Sequence, residues 1–325
     1  MSNLSTATRY LANAVQNPEL LDLCPAFKAK DNADFLAEVA RRLSARQREQ
    51  RSSDERGRGK RARAAPAEER EVAADGVLTI GLIGEYGPLG YALRRAQEVL
   101  RFDRTPSHWS HAFLFLDPLR PSAASLRDPE RSPRVLEATL NPGESASRLF
   151  AFRNGVNVRR FSDFARARFD AGSARSAPNI AVLCLALSTA ERAAIRERAL
   201  RPEADLLAYD LPDLLGNWFH FALSLGKRKN PLLRGVAMPS ASYAQLAYDA
   251  AGIDLSPGAT QRNSAPEHFW QAVRYLYPMF EAPDPEGNLV RRAAIGFHCV
   301  REPECLLAPA GAALPRSFEE FVEAS

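Results

Sequence analysis

Cysteine is scarce in this sequence. The 325 residues include four cysteines, Cys24, Cys184, Cys299 and Cys305. Only the last two lie near each other, and their spacing differs from the CxxC pairs of a structural zinc site. We therefore expect neither a disulfide framework nor a metal site, and no organic cofactor.

Long apolar runs are also missing. No stretch approaches the roughly 18 apolar residues that a membrane helix needs, and the start "MSNLSTATRY" lacks the basic-then-apolar pattern of a secretory signal. The sequence predicts no transmembrane segment and a cytoplasmic location, with secretion by a non-Sec route left open.

Aromatic side chains are absent from residues 46–75, a highly charged segment that we interpret as a flexible linker or a long solvated helix. Its basic run "RGRGKRAR" (56–63) could contact phosphate or anionic lipid, and the whole chain carries a net charge of +4. Because no aromatic residue is available there for base stacking, we disfavour nucleic acid as a partner.

The residues that are present indicate an α+β domain. Segment 1–45 is expected to be a helical N-terminal segment, with Phe35, Leu36, Val39, Ala40 and Leu43 on one stripe and Asn32 as the N-cap. Strands are predicted within 76–84, 111–117, 134–140, 155–161 and 179–187, followed mainly by helices at 189–200, 211–225, 240–251 and 265–277. Strands followed by helices favour the α+β class, with the main domain over 76–285 and a C-terminal extension over 286–325.

Three residues have the types that nucleophilic acyl transfer requires. His111 opens an apolar strand, Glu137 lies inside the next strand, and Ser240 begins an amphipathic helix. A carboxylate inside a strand needs a polar partner if it is buried, and an imidazole is one candidate. A helix N-terminus can position a nucleophile and offer N–H groups to an oxyanion, although serine at this place is also a common N-cap.

The order of the motifs resembles a known family. "ALRRAQ" (92–97), "WSHAFLFL" (109–116), "VLEAT" (135–139), "AYDLPDLLG" (208–216) and "SASYAQLAYDAAGIDLSP" (240–257) follow one another as in circularly permuted papain-like hydrolases, the NlpC-related group with YiiX-type and YebB-type proteins and lecithin:retinol acyltransferases. The resemblance implies an antiparallel sheet or half-barrel packed against helices.

The resemblance also implies roles for particular residues. His111 stands at the position of the general base, Glu137 at that of the acid that orients it, and Ser240 at that of the nucleophilic cysteine. Tyr209, Asp210 and Trp109 match supporting positions of the motifs. The implied activity is hydrolysis or acyl transfer at an amide, ester or thioester, on a peptide or lipid acyl substrate.

Serine at position 240 leaves three interpretations open. Ser240 is a native nucleophile activated by His111, or a replacement of a catalytic cysteine, or the mark of an inactive domain that keeps its groove. In the last case the protein is a binding module recruited through its N-terminal helices, with a protein partner for residues 1–75. We assign lesser weight to Ser242, and to Cys299 and Cys305, as alternative nucleophiles.

Overall fold

The computed structural model describes residues 31–58, 77–85, 88–101, 106–142, 152–165, 179–185, 187–201, 240–273, 281–283, 289–291 and 294–299. Tyr209, Asp210, Cys305, the predicted helix at 211–225 and the first part of the predicted N-terminal helical segment lie outside these residues.

Helices and strands alternate irregularly along the described chain. The helices are α1 (Asn32–Arg58), α2 (Pro88–Ala96), α3 (Ala123–Arg127), α4 (Ser162–Ala165), α5 (Thr189–Ala199), α6 (Ser240–Asp249) and α7 (Pro266–Gln271). The strands are β1 (Ile80–Gly84), β2 (His111–Phe115), β3 (Arg134–Pro142), β4 (Phe152–Arg160), β5 (Asn179–Leu185), β6 (Glu281–Pro283), β7 (Leu289–Arg291) and β8 (Ala294–Cys299).

Six of these strands form one antiparallel sheet in the order β4-β3-β2-β1-β5-β8, which confirms the predicted α+β class. The five predicted strands correspond to β1 to β5. Strand β8 comes from the segment expected to be a C-terminal extension, and it pairs with β5 from Ile180 opposite Cys299 to Leu185 opposite Ala294. Strands β6 and β7 form a separate antiparallel pair.

Both faces of the sheet are covered, because successive side chains of a strand point to opposite faces. Leu82, Ala112, Leu114, Leu136 and Ala138 belong to the apolar cluster that includes α6 and α7. The alternate residues Ile83, Phe113, Phe115 and Val135 belong to the cluster that includes α1. We call these the α6 face and the α1 face.

Helix α1 is tied to the sheet by its first half. The predicted stripe Phe35, Leu36, Val39, Ala40 and Leu43 is buried on the α1 face, as the helical spacing indicated. The helix continues through Arg58, so the first part of the charged segment is helical.

The N-cap prediction at Asn32 was wrong. Asp31 accepts the hydrogen bond from the backbone N–H of Asp34, so Asp31 caps the helix, while the Asn32 side chain donates to the carbonyl oxygen of Phe164. Arg127 of α3 binds both Asp31 and Asp34 at 2.7 to 2.9 Å. These contacts anchor the N-terminus of α1 to α3 and α4.

Two other local predictions are confirmed. Ser188 and Glu191 form the predicted capping box at the start of α5. Helix α6 begins at Ser240, and Gly252, the predicted stop, adopts a φ of 69°, which favours glycine. No helix in the described ranges is long and apolar enough to cross a membrane.

Candidate functional site

His111 and Glu137 form a short ion pair across neighbouring strands. Nε2 of His111 lies 2.6 Å from Oε2 of Glu137. His111 is the first residue of β2 and Glu137 lies in β3, and both side chains project from the α1 face, as Phe113 and Val135 do. The Glu137 side chain is fully buried, whereas 15% of the His111 side chain is exposed. The imidazole is the more accessible partner, so it can meet a ligand.

Arg159 of β4 completes the pair from the other side. Its Nη1 donates to the second oxygen of Glu137, Oε1, at 3.1 Å. Nε of Arg159 lies 3.3 Å from Oδ2 of Asp163, and the guanidinium sits over the ring of Phe164 at 5.9 Å. Each carboxylate oxygen of Glu137 therefore has a charged donor, which is the condition for keeping a buried carboxylate ionised.

The pKa values of the pair move apart. Burial alone would lower the pKa of His111, but the hydrogen bond and the negative charge of Glu137 outweigh it, with a smaller effect of Glu85, and the pKa is raised above 6.5. Burial alone would raise the pKa of Glu137, but His111 and Arg159 outweigh it, and the pKa is lowered below 4.5. The raised pKa of His111 and the lowered pKa of Glu137 both favour an imidazolium beside a carboxylate.

Ser240 lies where β2 and β3 separate. The ladder between these strands pairs Leu114 with Leu136 and Phe115 with Val135. Continued in the same register, the N–H of Ala112 would face Ala138, but it donates instead to Oγ of Ser240 at 3.2 Å. The first residue of α6 thus inserts its hydroxyl at the end of the ladder, one residue from His111.

The structure brings Ser240 to the backbone beside His111 and does not join it to the imidazole. Among the described residues, no hydrogen bond links Oγ of Ser240 to the His111 ring. Helix α6 packs on the α6 face, whereas the imidazole is on the α1 face with Glu137. Both residues nevertheless begin their elements at one end of the sheet, where the strands separate. Because Nε2 is bonded to Glu137, the ring nitrogen left for a nucleophile is Nδ1.

A buried polar network fixes the loop that leads into His111. Ser107 Oγ donates to Oε2 of Glu267 at 2.7 Å and accepts from the backbone N–H of Trp109 at 3.0 Å. Gln97 donates to the carbonyl oxygen of Trp109 at 2.8 Å and accepts from the N–H of Glu267 at 3.0 Å. The Trp109 ring contacts the Trp270 ring edge to face, with centroids 5.0 Å apart. Trp109 thus supports the site by packing in the core.

None of the other possible nucleophiles whose side chains the structure describes is bonded to the backbone next to His111, as Ser240 is. The Ser242 hydroxyl is buried and is 3.5 Å from the carbonyl oxygen of Ser264. Cys184 is buried on the α1 face, and Cys299 is in the edge strand β8. Ser240 contacts the backbone next to His111, so it is the best placed of the described candidates.

Two residues of the site were not singled out from the sequence. Arg159 looks like an ordinary surface cation in "GVNVRRF", although a buried Glu137 implies a second donor for its carboxylate. Glu85 directly follows β1, where its backbone N–H donates to Ser110 Oγ at 2.9 Å. It contributes to the raised pKa of His111. The sequence feature that could have indicated Glu85 is its position directly after β1, the strand whose Ile83 pairs with His111.

In the described part of the chain, no three His, Cys, Asp or Glu side chains are grouped so that they could hold a metal ion. Comparison with known proteins finds no matching family model, no matching curated protein and no matching solved structure.

Proposed function

We propose that the α+β domain is a circularly permuted papain-like domain and that it catalyses hydrolysis or acyl transfer at an amide, ester or thioester. The observation that carries the proposal is the 2.6 Å contact of His111 with a buried Glu137, next to a helix that begins with Ser240 at the Ala112 N–H. A nucleophile at a helix N-terminus beside an oriented imidazole is the arrangement that acyl transfer uses.

In the proposed reaction, Ser240 Oγ attacks the acyl carbonyl carbon and its proton passes to Nδ1 of His111. The tetrahedral oxyanion receives hydrogen bonds from N–H groups at the start of α6. When the bond to the leaving group breaks, His111 returns the proton to that group. Water, or another acceptor, then attacks the acyl-enzyme with His111 as base and releases the acyl product.

The electrostatics of the site favour a thiol over a hydroxyl at position 240. The raised pKa of His111 favours its imidazolium form, which cannot accept a proton from serine. An imidazolium would instead stabilise a thiolate. The proposal therefore includes catalysis by Ser240 that increases with pH, and faster catalysis by the Ser240→Cys variant at neutral pH.

The proposal also covers the substrate, the location and the partner of the protein. We propose peptide or lipid acyl substrates, a cytoplasmic location and a protein partner for residues 1–75. The apolar stripe of α1 is buried against the sheet, so such a partner would contact other residues of this segment.

Labelling with a fluorophosphonate probe tests the proposal without a known substrate. The folded protein should form one adduct, located by mass spectrometry at Ser240, and the adduct should disappear in Ser240→Ala and fall strongly in His111→Ala. Ser242→Ala is the matched control, since Ser242 lies on the same helix. Equal labelling of Ser240→Ala and the parent, or no adduct up to alkaline pH together with no thiol reactivity in Ser240→Cys, contradicts the proposal.

A non-catalytic binding module is the second candidate. The observation in its favour is that the Ser240 hydroxyl serves as acceptor for the Ala112 N–H and is not hydrogen-bonded to the imidazole. In this case Ser240→Cys would lack the enhanced reactivity toward iodoacetamide at neutral pH that a thiolate–imidazolium pair gives, because the His111 ring would not reach the thiol.

A further inference from the structure

A charged cavity lies at the opposite end of β2 from His111. It has a volume of about 400 Å³, within the range of small-molecule sites. The charged residues that line it are Asp117, Arg120, Glu130, Arg131, Arg134 and Arg160. Asp117 lies six positions after His111 along extended chain, a span of roughly 20 Å, so this cavity is distinct from the His111 site.

The charges of the cavity do not cancel. Asp117 binds Arg134 through both carboxylate oxygens at 2.8 and 2.9 Å, and this contact lowers the pKa of Asp117. Arg134 is therefore neutralised within the cavity. Arg131 forms an ion pair with Asp128, with its Nε 3.5 Å from Oδ2. Arg120 and Arg160 remain, opposed by the carboxylate of Glu130. The cavity together with Asp128 therefore retains a charge of about +1, which attracts anions.

Arg160 is oriented before any ligand arrives. Its Nη1 donates to the carbonyl oxygen of Ser132 at 2.8 Å, and no carboxylate forms a salt bridge with it in the described ranges. Ser132 is itself fixed, because it is fully buried and its Oγ accepts from the N–H of Ser162 at 2.7 Å. A guanidinium held on a rigid wall retains N–H groups that can bind two oxygens of one anion.

We propose that this cavity binds a phosphate monoester, with Arg160 as the oriented donor and Arg120 as the flanking charge. The apolar part of the lining is limited to Pro118 and Pro133, which offers little surface to an acyl chain. The ligand is therefore recognised by its phosphate. The proposal is independent of catalysis at His111.

A phosphate monoester could come from a free metabolite or from a lipid headgroup, and two probes separate these sources. The first is inorganic phosphate, titrated into the full chain by calorimetry at low salt. The second is a phosphatidylcholine vesicle with or without phosphatidic acid, measured by cosedimentation. Saturable binding of inorganic phosphate supports a soluble ligand, and binding only to vesicles that contain phosphatidic acid supports a lipid headgroup.

Substitutions assign the binding to the cavity. Arg160→Gln should weaken binding of the effective probe by about tenfold or more, since it removes a charged bidentate donor. Arg120→Gln should weaken it less and tests the site without touching the Ser132 contact. Arg196→Gln, at an exposed position of helix α5, is the charge-matched control and should bind as the parent does. Binding of neither probe, or equal weakening by Arg196→Gln, overturns the proposal.

Discussion

The hydroxyl oxygen of Ser240 accepts the backbone N–H of Ala112, 128 residues earlier in the chain, at 3.2 Å. The contact has two consequences. It satisfies a backbone donor that the β2–β3 ladder leaves unpaired, and it holds the start of α6 beside His111. A donor on Oγ also stabilises negative charge there, so the structural contact is compatible with a nucleophile.

The pH dependence of catalysis distinguishes serine from cysteine at position 240. With Ser240, activity on an activated ester should rise with pH through the raised pKa of His111, because neutral imidazole is the base. Ser240→Cys should already be active below that pKa, where imidazolium pairs with thiolate. Ser240→Ala should lose activity at every pH. Coincident pH profiles for the serine and cysteine forms would contradict this role of His111.

Glu137→Gln should abolish the raised pKa of His111. Without the carboxylate, burial is the leading influence, so the imidazole pKa, followed by NMR, should fall below its value in the parent. We expect kcat/KM to fall by about 10²-fold or more, and the free energy of unfolding to fall by about 1–3 kcal/mol, because Arg159 and His111 lose a charged partner. An unchanged His111 titration would show that the pair does not form in solution.

The free energy of unfolding should depend on pH through the same two residues, His111 and Glu137. The raised pKa of His111 stabilises the fold below about pH 6.5, and this contribution is lost as the pH rises through its folded value. The lowered pKa of Glu137 stabilises the fold above about pH 4.5, and this contribution is lost as the pH falls through its folded value. Denaturant unfolding of the parent and Glu137→Gln should therefore differ most between these limits.

Arg159 is a positioning residue for Glu137. Its positive charge lowers the pKa of both Glu137 and His111, so Arg159→Met should raise both. Under the proposed function, the pH profile of activity with Ser240 should then shift to higher pH. Arg159→Lys, which keeps the charge, should restore much of the parent profile, and Arg196→Met is the surface control. Equal His111 titrations in Arg159→Met and the parent would limit Arg159 to a packing role.

Gly81 leaves space for the Phe113 ring beneath the site. A Cβ at position 81 would lie 2.2 Å from Cζ of Phe113, while that ring also stacks on Phe164 with centroids 5.4 Å apart. Gly81→Ala should lower the free energy of unfolding by about 1–3 kcal/mol through overpacking. In a double-mutant cycle, Phe113→Leu should reduce that penalty, and strict additivity would argue against the contact.

The lowered pKa of His268 predicts that the protein loses stability in mild acid. Burial lowers its pKa from 6.5 to about 4, and its Nδ1 accepts from the N–H of Ala265 at 3.1 Å. The unfolded chain binds this proton more readily, so stability should fall as the pH drops from about 6.5 to about 4, by at most about 1.4 kcal/mol per pH unit. His268→Asn, which can keep the acceptor, should flatten the dependence measured by urea unfolding.

Local features of the fold follow from the sequence alone. The helical stripe of α1, the capping box at Ser188 and the strands β1 to β5 appear where the sequence predicts them. Each of these patterns depends only on residues that are close together in the sequence, because they form one buried face or one local hydrogen bond. The N-cap of α1 shows the limit, because Asp31 and Asn32 are both able to cap and the choice depends on contacts with Arg127 and Phe164.

The contacts of the candidate site depend on tertiary structure. Residue types and motif order indicated His111, Glu137 and Ser240, but the strand register determines that Glu137 meets His111 and that Arg159 reaches Glu137 from β4. Packing of α6 at the end of the β2–β3 ladder determines that Ser240 meets Ala112. Periodicity along one segment reports which side of that segment is buried, whereas contacts between distant segments are set by register and packing, which no local pattern contains.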